Sequence, residues 1–291
     1  MLFTRLDIQA TEMVSTRPLG LVQKLDLQRL GNTSELPKVF DGLEEARLSQ
    51  DYIHSCWRRS LQLVTPDGQD IATTPKEKFD AIKDGYIGKI QLWETAFGAF
   101  LERGTLGLDV DEVQAIRLLQ LQQHYNFVYI VIDHQAAAVD ETTWDPYTSQ
   151  FQAIVSLASD ILSAGLCSEK PLFSLDTGII GPLYFVASRC RNPTIRRQAI
   201  ACLKSTNRQE GVWESQIVGH VAQRVMEIEE SAAGINIAGL EHDELIPSWA
   251  RVRGVQPQLD PGGRMGVVHY IRYGSNSKEP FKNALHEVIK W

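Results

Sequence analysis

Cysteine is scarce and scattered in this 291-residue sequence: Cys56, Cys167, Cys190 and Cys202 stand far apart, with no C-x-x-C pair. Structural zinc needs clustered ligands and disulfide frameworks belong to small secreted domains, so buried free thiols in a reducing compartment are the expectation. Long apolar runs are missing too. None reaches the roughly 18 residues of a membrane span, and Met1-Leu2-Phe3 leads directly into charged residues instead of a signal peptide. A soluble intracellular protein is expected. Positive charge is in deficit, with 29 Lys and Arg against 36 Asp and Glu, a formal charge of −7. A module that neutralises phosphates carries the opposite balance. There is no G-x-S-x-G, no P-loop and no G-x-G-x-x-G. Asp176-Thr177-Gly178 occurs once. Aspartic-protease chemistry needs two such aspartates in a β-rich setting, so the triplet is read as a turn between helices.

What is present is helical periodicity over nearly all of the first 230 residues. Phe79, Ile82, Tyr86, Ile90, Trp93, Phe97 and Phe100 recur in steps of three or four, which buries one stripe of a helix starting after Pro75 and stopping near Gly104. Further helices are expected over 39–63, with Phe40, Leu43, Ala46, Ile53 and Trp57 inside, over 111–138, capped by Asp109 or Asp111, and over 147–164. Another is expected to end at Gly31-Asn32. For Val128–Ile132 a short strand competes with the helix. Pro182 opens a short buried helix, and Asn192-Pro193 reads as N-cap and N1 of the next. That helix carries Ile195, Ala199, Ile200 and Leu203 inward. Arg196 and Arg197 face away from this stripe and are expected at the surface or an interface. A loop over 205–211 leads into a helix burying Ile217, Val221, Val225 and Ile228.

After Ala233 the character changes. Strand-like runs at 249–253 and 267–273 flank Asp260-Pro261-Gly262-Gly263 and predict a β-hairpin, with a last helix over 278–291. The fold class is therefore mainly α: a multi-helix array of antiparallel helical hairpins, bundle or α-solenoid-like, with a small C-terminal β-hairpin. A helical domain is expected over 1–233 and an extension packed on it over 234–291.

Candidate chemistry is thin. The arginines Arg189, Arg191, Arg196, Arg197 and Arg208, with Lys204, suit either phosphate contact or, as favoured, an ion-pair network with Glu210, Glu214, Glu227, Glu229 and Glu230. The seven histidines are dispersed. His54-Ser55-Cys56 offers two metal ligands with nothing nearby to complete a site, and Asp133-His134 points two ways on a helix. Trp93, Phe97, Phe100, Tyr125 and Tyr129 either pack a core or line a small-molecule pocket.

The stretch from Pro171 to Glu230, PLFSLDTGIIGPLYFVASRCRNPTIRRQAIACLKSTNRQEGVWESQIVGHVAQRVMEIEE, resembles the C-terminal regulatory region of fungal zinc-cluster (Zn2Cys6) transcription factors. So do Arg5–Ala10, Pro75–Ile82, Asp133–Asp145, Ile246–Val252 and Glu287–Trp291. The resemblance implies structural or interface roles for Asp176, Gly178, Gly181, Pro182, Arg189, Cys190, Arg191, Pro193, Arg196, Arg197, Gln209, Glu210, Gly211, Trp213, Glu227 and Glu229. It implies no catalytic, metal-binding or DNA-contacting residue in this sequence, because the family's six-cysteine zinc cluster, which docks DNA, is not among these residues. No cofactor is expected here. A nuclear location is implied, with a cytoplasmic pool. The implied partners are a second copy of the chain, other transcription-machinery proteins or a small-molecule effector, without nucleic acid or membrane. A helical interaction scaffold and an enzyme with converging acids, bases and a nucleophile are the rival readings.

Overall fold

The computed structural model describes residues 36–64, 76–104, 108–132, 140–164, 172–174, 178–211, 213–234, 246–260, 265–272 and 284–290. The chain divides into two compact units, Met1–Gln135 and Ala136–Trp291. Among the described residues no helix is long and apolar enough to cross a membrane. The helix expected to end at Gly31-Asn32 lies outside the described residues.

In the first unit, α1 (Leu43–Val64), α2 (Lys76–Glu102) and α3 (Val110–Val131) pack on one another. The α2 stripe does what its spacing predicts: Phe79, Ile90, Trp93 and Phe97 are buried beside Trp57 and Phe40. Trp93 adds a directional bond, its Nε1 donating to the Ala46 carbonyl at 2.8 Å. Helix α3 starts in a capping box. The Glu112 amide donates to Asp109 Oδ1 at 2.8 Å, and the Asp109 amide donates to Glu112 Oε2 at 3.1 Å, so two orphan donors are satisfied reciprocally. The helix runs through Val128 to Val131, which removes the competing strand. It stops short of residue 138, because Ile132 has ψ 142° and leaves the helical region. Helix α1 likewise begins at Leu43 and not at Val39.

The second unit begins with a 3-10 turn, Glu141–Tyr147, and α4 (Thr148–Ala164). Then come β1 (Leu172–Ser174), α5 (Ile180–Arg189), α6 (Pro193–Lys204), β2 (Arg208–Glu210), β3 (Trp213–Glu214) and α7 (Ser215–Ala233). Asn192 caps α6 as expected, its Oδ1 accepting from the amides of Thr194 and Ile195. Gly219 lets α7 approach α6: a Cβ there would stand 2.9 Å from Lys204 Cγ and 3.2 Å from Leu203 Cβ. The segment 205–211 is more than a loop. Strand β2 pairs in parallel with β1 and antiparallel with β3.

At the C-terminal end, β4 (Val252–Asp260), β5 (Met265–Arg272) and β6 (Leu285–Lys290) form an antiparallel sheet in the order β4-β5-β6. The hairpin matches its strand-like runs. The expected last helix does not form: residues 285–290 are a strand. They alternate with period two, Leu285 and Ile289 packing toward Val221, Val225 and Ile228 of α7 while Val288 stays exposed, and pairing with β5 satisfies their backbone. The division between the units falls at residue 135, whereas the compositional change falls at Ala233, inside the second unit.

Replacing Trp93 by Ala, which removes a side chain only 1% exposed and its hydrogen bond, is expected to lower unfolding free energy by about 3–5 kcal/mol. Urea denaturation checks this; an unchanged midpoint would contradict the packing described.

Candidate functional site

The residues singled out around 176–230 assemble in the second unit about one carboxylate. Glu229, on α7, is fully buried between two buried guanidiniums. Its Oε2 accepts from Arg196 Nη1 at 2.6 Å, and its Oε1 accepts from Arg191 Nη2 at 2.7 Å. Oε1 also accepts from the Val252 amide at 2.7 Å, where β4 begins. Burial alone would push the Glu229 carboxyl up; Arg196 and Arg191 hold it below the usual carboxylate range.

Arg196 corrects the sequence reading. Its position off the Ile195–Ala199–Leu203 stripe predicts a surface or interface group, yet it is 1% exposed and held inside the unit. The reason is that α6 is covered on more than one side. Arg196 Nε donates to the Ala187 carbonyl of α5 at 2.9 Å while its Nη1 reaches Glu229 on α7. Arg197 is one-third exposed and pairs with Glu230 at 2.6 Å.

From Arg191 the network continues outward. Arg191 Nη1 donates to the Arg189 carbonyl at 2.8 Å and lies 3.4 Å from Glu141 Oε2. Arg189 pairs with Glu141 Oε1 and lies over the Trp144 ring. Arg251 makes a bidentate pair with Asp145, both bonds 2.8 Å, and also donates to the carbonyls of Glu141 and Ile246. Glu141, Asp145 and Arg251 are the members that sequence reasoning missed. An arginine inside the run Ile246–Val252 was the available signal, but its partner lies 106 residues away.

A second carboxylate organises the start of α5. Glu210 accepts from the amides of Gly178, Ile179 and Ile180 at 2.9–3.0 Å, which supplies the orphan donors of that helix. Burial pushes its carboxyl up, against those three amides and Arg208. Gly178 is required by this approach, since a Cβ would stand 2.3 Å from Glu210 Oε1. Asp176 lies outside the described residues. Gly211 has φ 56° and donates to the Ser174 carbonyl at 2.7 Å, and Gln209 Nε2 donates to the Gly211 carbonyl. Gly181 and Pro182 sit in the first turn of α5, and Pro193 opens α6. Cys190 is buried, its thiol pushed up to about 11 by burial. Trp213 is half-buried, its ring 5.5 Å from that of Tyr184. Glu227 pairs with Arg224, which also forks onto Glu287 of β6.

The aromatic group lies in the first unit and packs on itself. The rings of Trp93, Phe97 and Phe100 stack in sequence. Tyr125 and Tyr129 surround His54 and Arg58; Arg58 donates to His54 Nε2 at 3.0 Å and to the Tyr125 hydroxyl at 3.2 Å, and lies over the Tyr129 ring. Burial, then Arg58, hold His54 well below its ordinary pKa, so the imidazole is neutral. Among the described residues no group of three or more His, Cys, Asp or Glu is placed to hold a metal.

Chemically the Glu229 cluster is a junction. Its carboxylates, on α7 and the 3-10 turn, are committed to guanidiniums and an amide from α5, α6, the link between them and the start of β4.

The chain is similar to the aspercryptin biosynthesis cluster-specific transcription regulator atnN of Emericella nidulans, with 35% identity over 118 residues. That stretch is 40% of this chain and 19% of the regulator's length. No family model and no solved structure matches the chain.

Glu229→Gln keeps the shape but removes the charge facing two buried arginines, and is expected to cost about 3–5 kcal/mol in urea unfolding; a loss below about 1 kcal/mol would contradict the junction. Acid should act in the same direction. The folded-state pKa values of Glu229 and Glu287 are depressed below 4.5, so their stabilisation is present above that value and is lost as pH falls through the folded values. Melting temperature measured downward from pH 6 should drop below about pH 4.5, and Glu229→Gln should flatten that drop.

Proposed function

We propose that this chain is the regulatory domain of a fungal transcription factor of the zinc-cluster family, acting in transcriptional control without touching DNA itself. The observation that carries the proposal is the 35% identity over 118 residues to a fungal cluster-specific transcription regulator. The motif resemblance described for residues 171–230 supports it. So does the electrostatics: the chain carries −7 overall, and its arginines at 191, 196 and 251 are buried against carboxylates and hence withdrawn from phosphate.

In this reading the zinc-binding, DNA-docking segment belongs to another part of the protein. The domain biases that segment's activity by binding a partner, a second copy of itself or a small effector, through a shift in conformational populations and not through bond chemistry. A nuclear location follows.

The test is a tethering assay in a fungal host. Fused to an unrelated DNA-binding domain, the chain should change transcription of a reporter bearing that domain's site at least several-fold in either direction. Without the fusion it should give no salt-sensitive shift of duplex DNA in gels. An inert fusion would sink the regulatory reading, and tight sequence-specific binding by the chain alone would sink the division of labour.

A further inference from the structure

The histidines look dispersed along the sequence, but strand register brings two of them together. His269 on β5 stands directly opposite His286 on β6, and their ring centroids are 6.1 Å apart. Both lie on the sheet face turned away from α7. Their neighbours Val268, Tyr270, Leu285 and Ile289 pack in the cluster with α7, and alternation along a strand places 269 and 286 on the other side. His286 is exposed and His269 partly so. In the next strand Gln256 of β4 is paired with His269 and exposed, so one cross-strand row reads amide, imidazole, imidazole.

We propose that His269 and His286 form a cross-strand chelate for a divalent first-row transition cation, with Gln256 and water completing its coordination. Imidazole nitrogen is a good ligand for zinc, copper and nickel. With metal–nitrogen bonds of about 2.0–2.1 Å, each ring centre stands roughly 3 Å from the ion, and two rings on adjacent coordination positions lie roughly 4.5–5 Å apart. The observed separation is within a side-chain rotation of that range, and His286 is exposed enough to make it. The two backbones are already fixed by the β5–β6 ladder, so little ordering remains to oppose binding. The site is small, with two strong ligands, and Lys290 sits four rows away beside Met265. A bound ion would fasten the strand that carries Glu287, the partner of Arg224 on α7, and so tighten the sheet on the helices. This inference goes beyond the regulatory reading and does not rest on it.

Isothermal titration of the metal-free, thiol-reduced chain with Ni2+ tests it; Ni2+ is the probe because Cu2+ would oxidise the free thiols. One ion per chain is expected. His286→Ala and His269→Ala should each weaken binding at least tenfold, while His220→Ala, at an exposed position on α7, should leave it unchanged. Free Ni2+ at about 100 times its dissociation constant should multiply the folding equilibrium of the unmodified chain about 100-fold in urea titrations and that of His286→Ala by no more than about 11-fold. No binding, or binding of equal affinity in His286→Ala, would overturn the proposal.

Discussion

The second unit depends on a single buried carboxylate. Glu229 joins α7 to α6 through Arg196, to the end of α5 through Arg191, and to the first peptide of β4 through the Val252 amide. Arg191 also donates to the Val252 carbonyl, at 3.4 Å, so Val252 is held through both its amide and its carbonyl. Desolvating three charges is expensive, and their mutual attraction offsets only part of the cost, since Arg191 Nε and Arg196 Nη2 are buried without a hydrogen-bond partner among the described residues. The net effect on stability is therefore modest while the arrangement is intact. What the cluster supplies is a penalty for every other arrangement, because a shift of α6 or β4 would leave a buried ion without its partner. Apolar packing of Val221, Val225 and Ile228 against Val268 and Tyr270 provides the driving force, and the ions fix the register in which it is realised.

That division withdraws the buried arginines from phosphate. A guanidinium aimed at DNA needs a solvent-facing fork, whereas Arg191, Arg196 and Arg251 have side chains no more than 1% exposed. The same residues that give the segment its resemblance to fungal regulators are those that hold helices to sheet. The proposed regulatory role is consistent with such a domain: an internally braced body, with signal carried by what binds it. The two carboxylates also differ in kind. Glu229 answers guanidiniums, and Glu210 answers the amides at the start of α5, so one sets the junction and the other the geometry of the chain entering it.

Much of the helical framework was legible in the sequence because helices are local. The α2 stripe, the Asp109 and Asn192 caps and the inner face of α7 all follow from spacing within one segment. What was not legible was non-local. Strand β6 is a strand because β5 is beside it: its burial alternates in the sheet, but the run Leu-His-Glu-Val-Ile-Lys does not alternate in hydropathy. The pairing of β1 with β2 joins Leu172 to Arg208, and neither three-residue run signals the other. Arg196 looked external because a one-stripe reading gives a helix only one covered face, while its partner Glu229 lies 33 residues on. The aromatic cluster of the first unit was legible as core or pocket; the rings fill their own space by stacking. Asp176 lies outside the described residues.

The central claim is that Glu229 and Arg196 act as one unit. A double-mutant cycle of Glu229→Gln and Arg196→Met, read by urea unfolding, measures this directly. The account predicts that the double variant is more stable than the sum of the single losses by about 2 kcal/mol or more, since removing both partners avoids leaving one buried charge alone. Strict additivity of the two losses would contradict it.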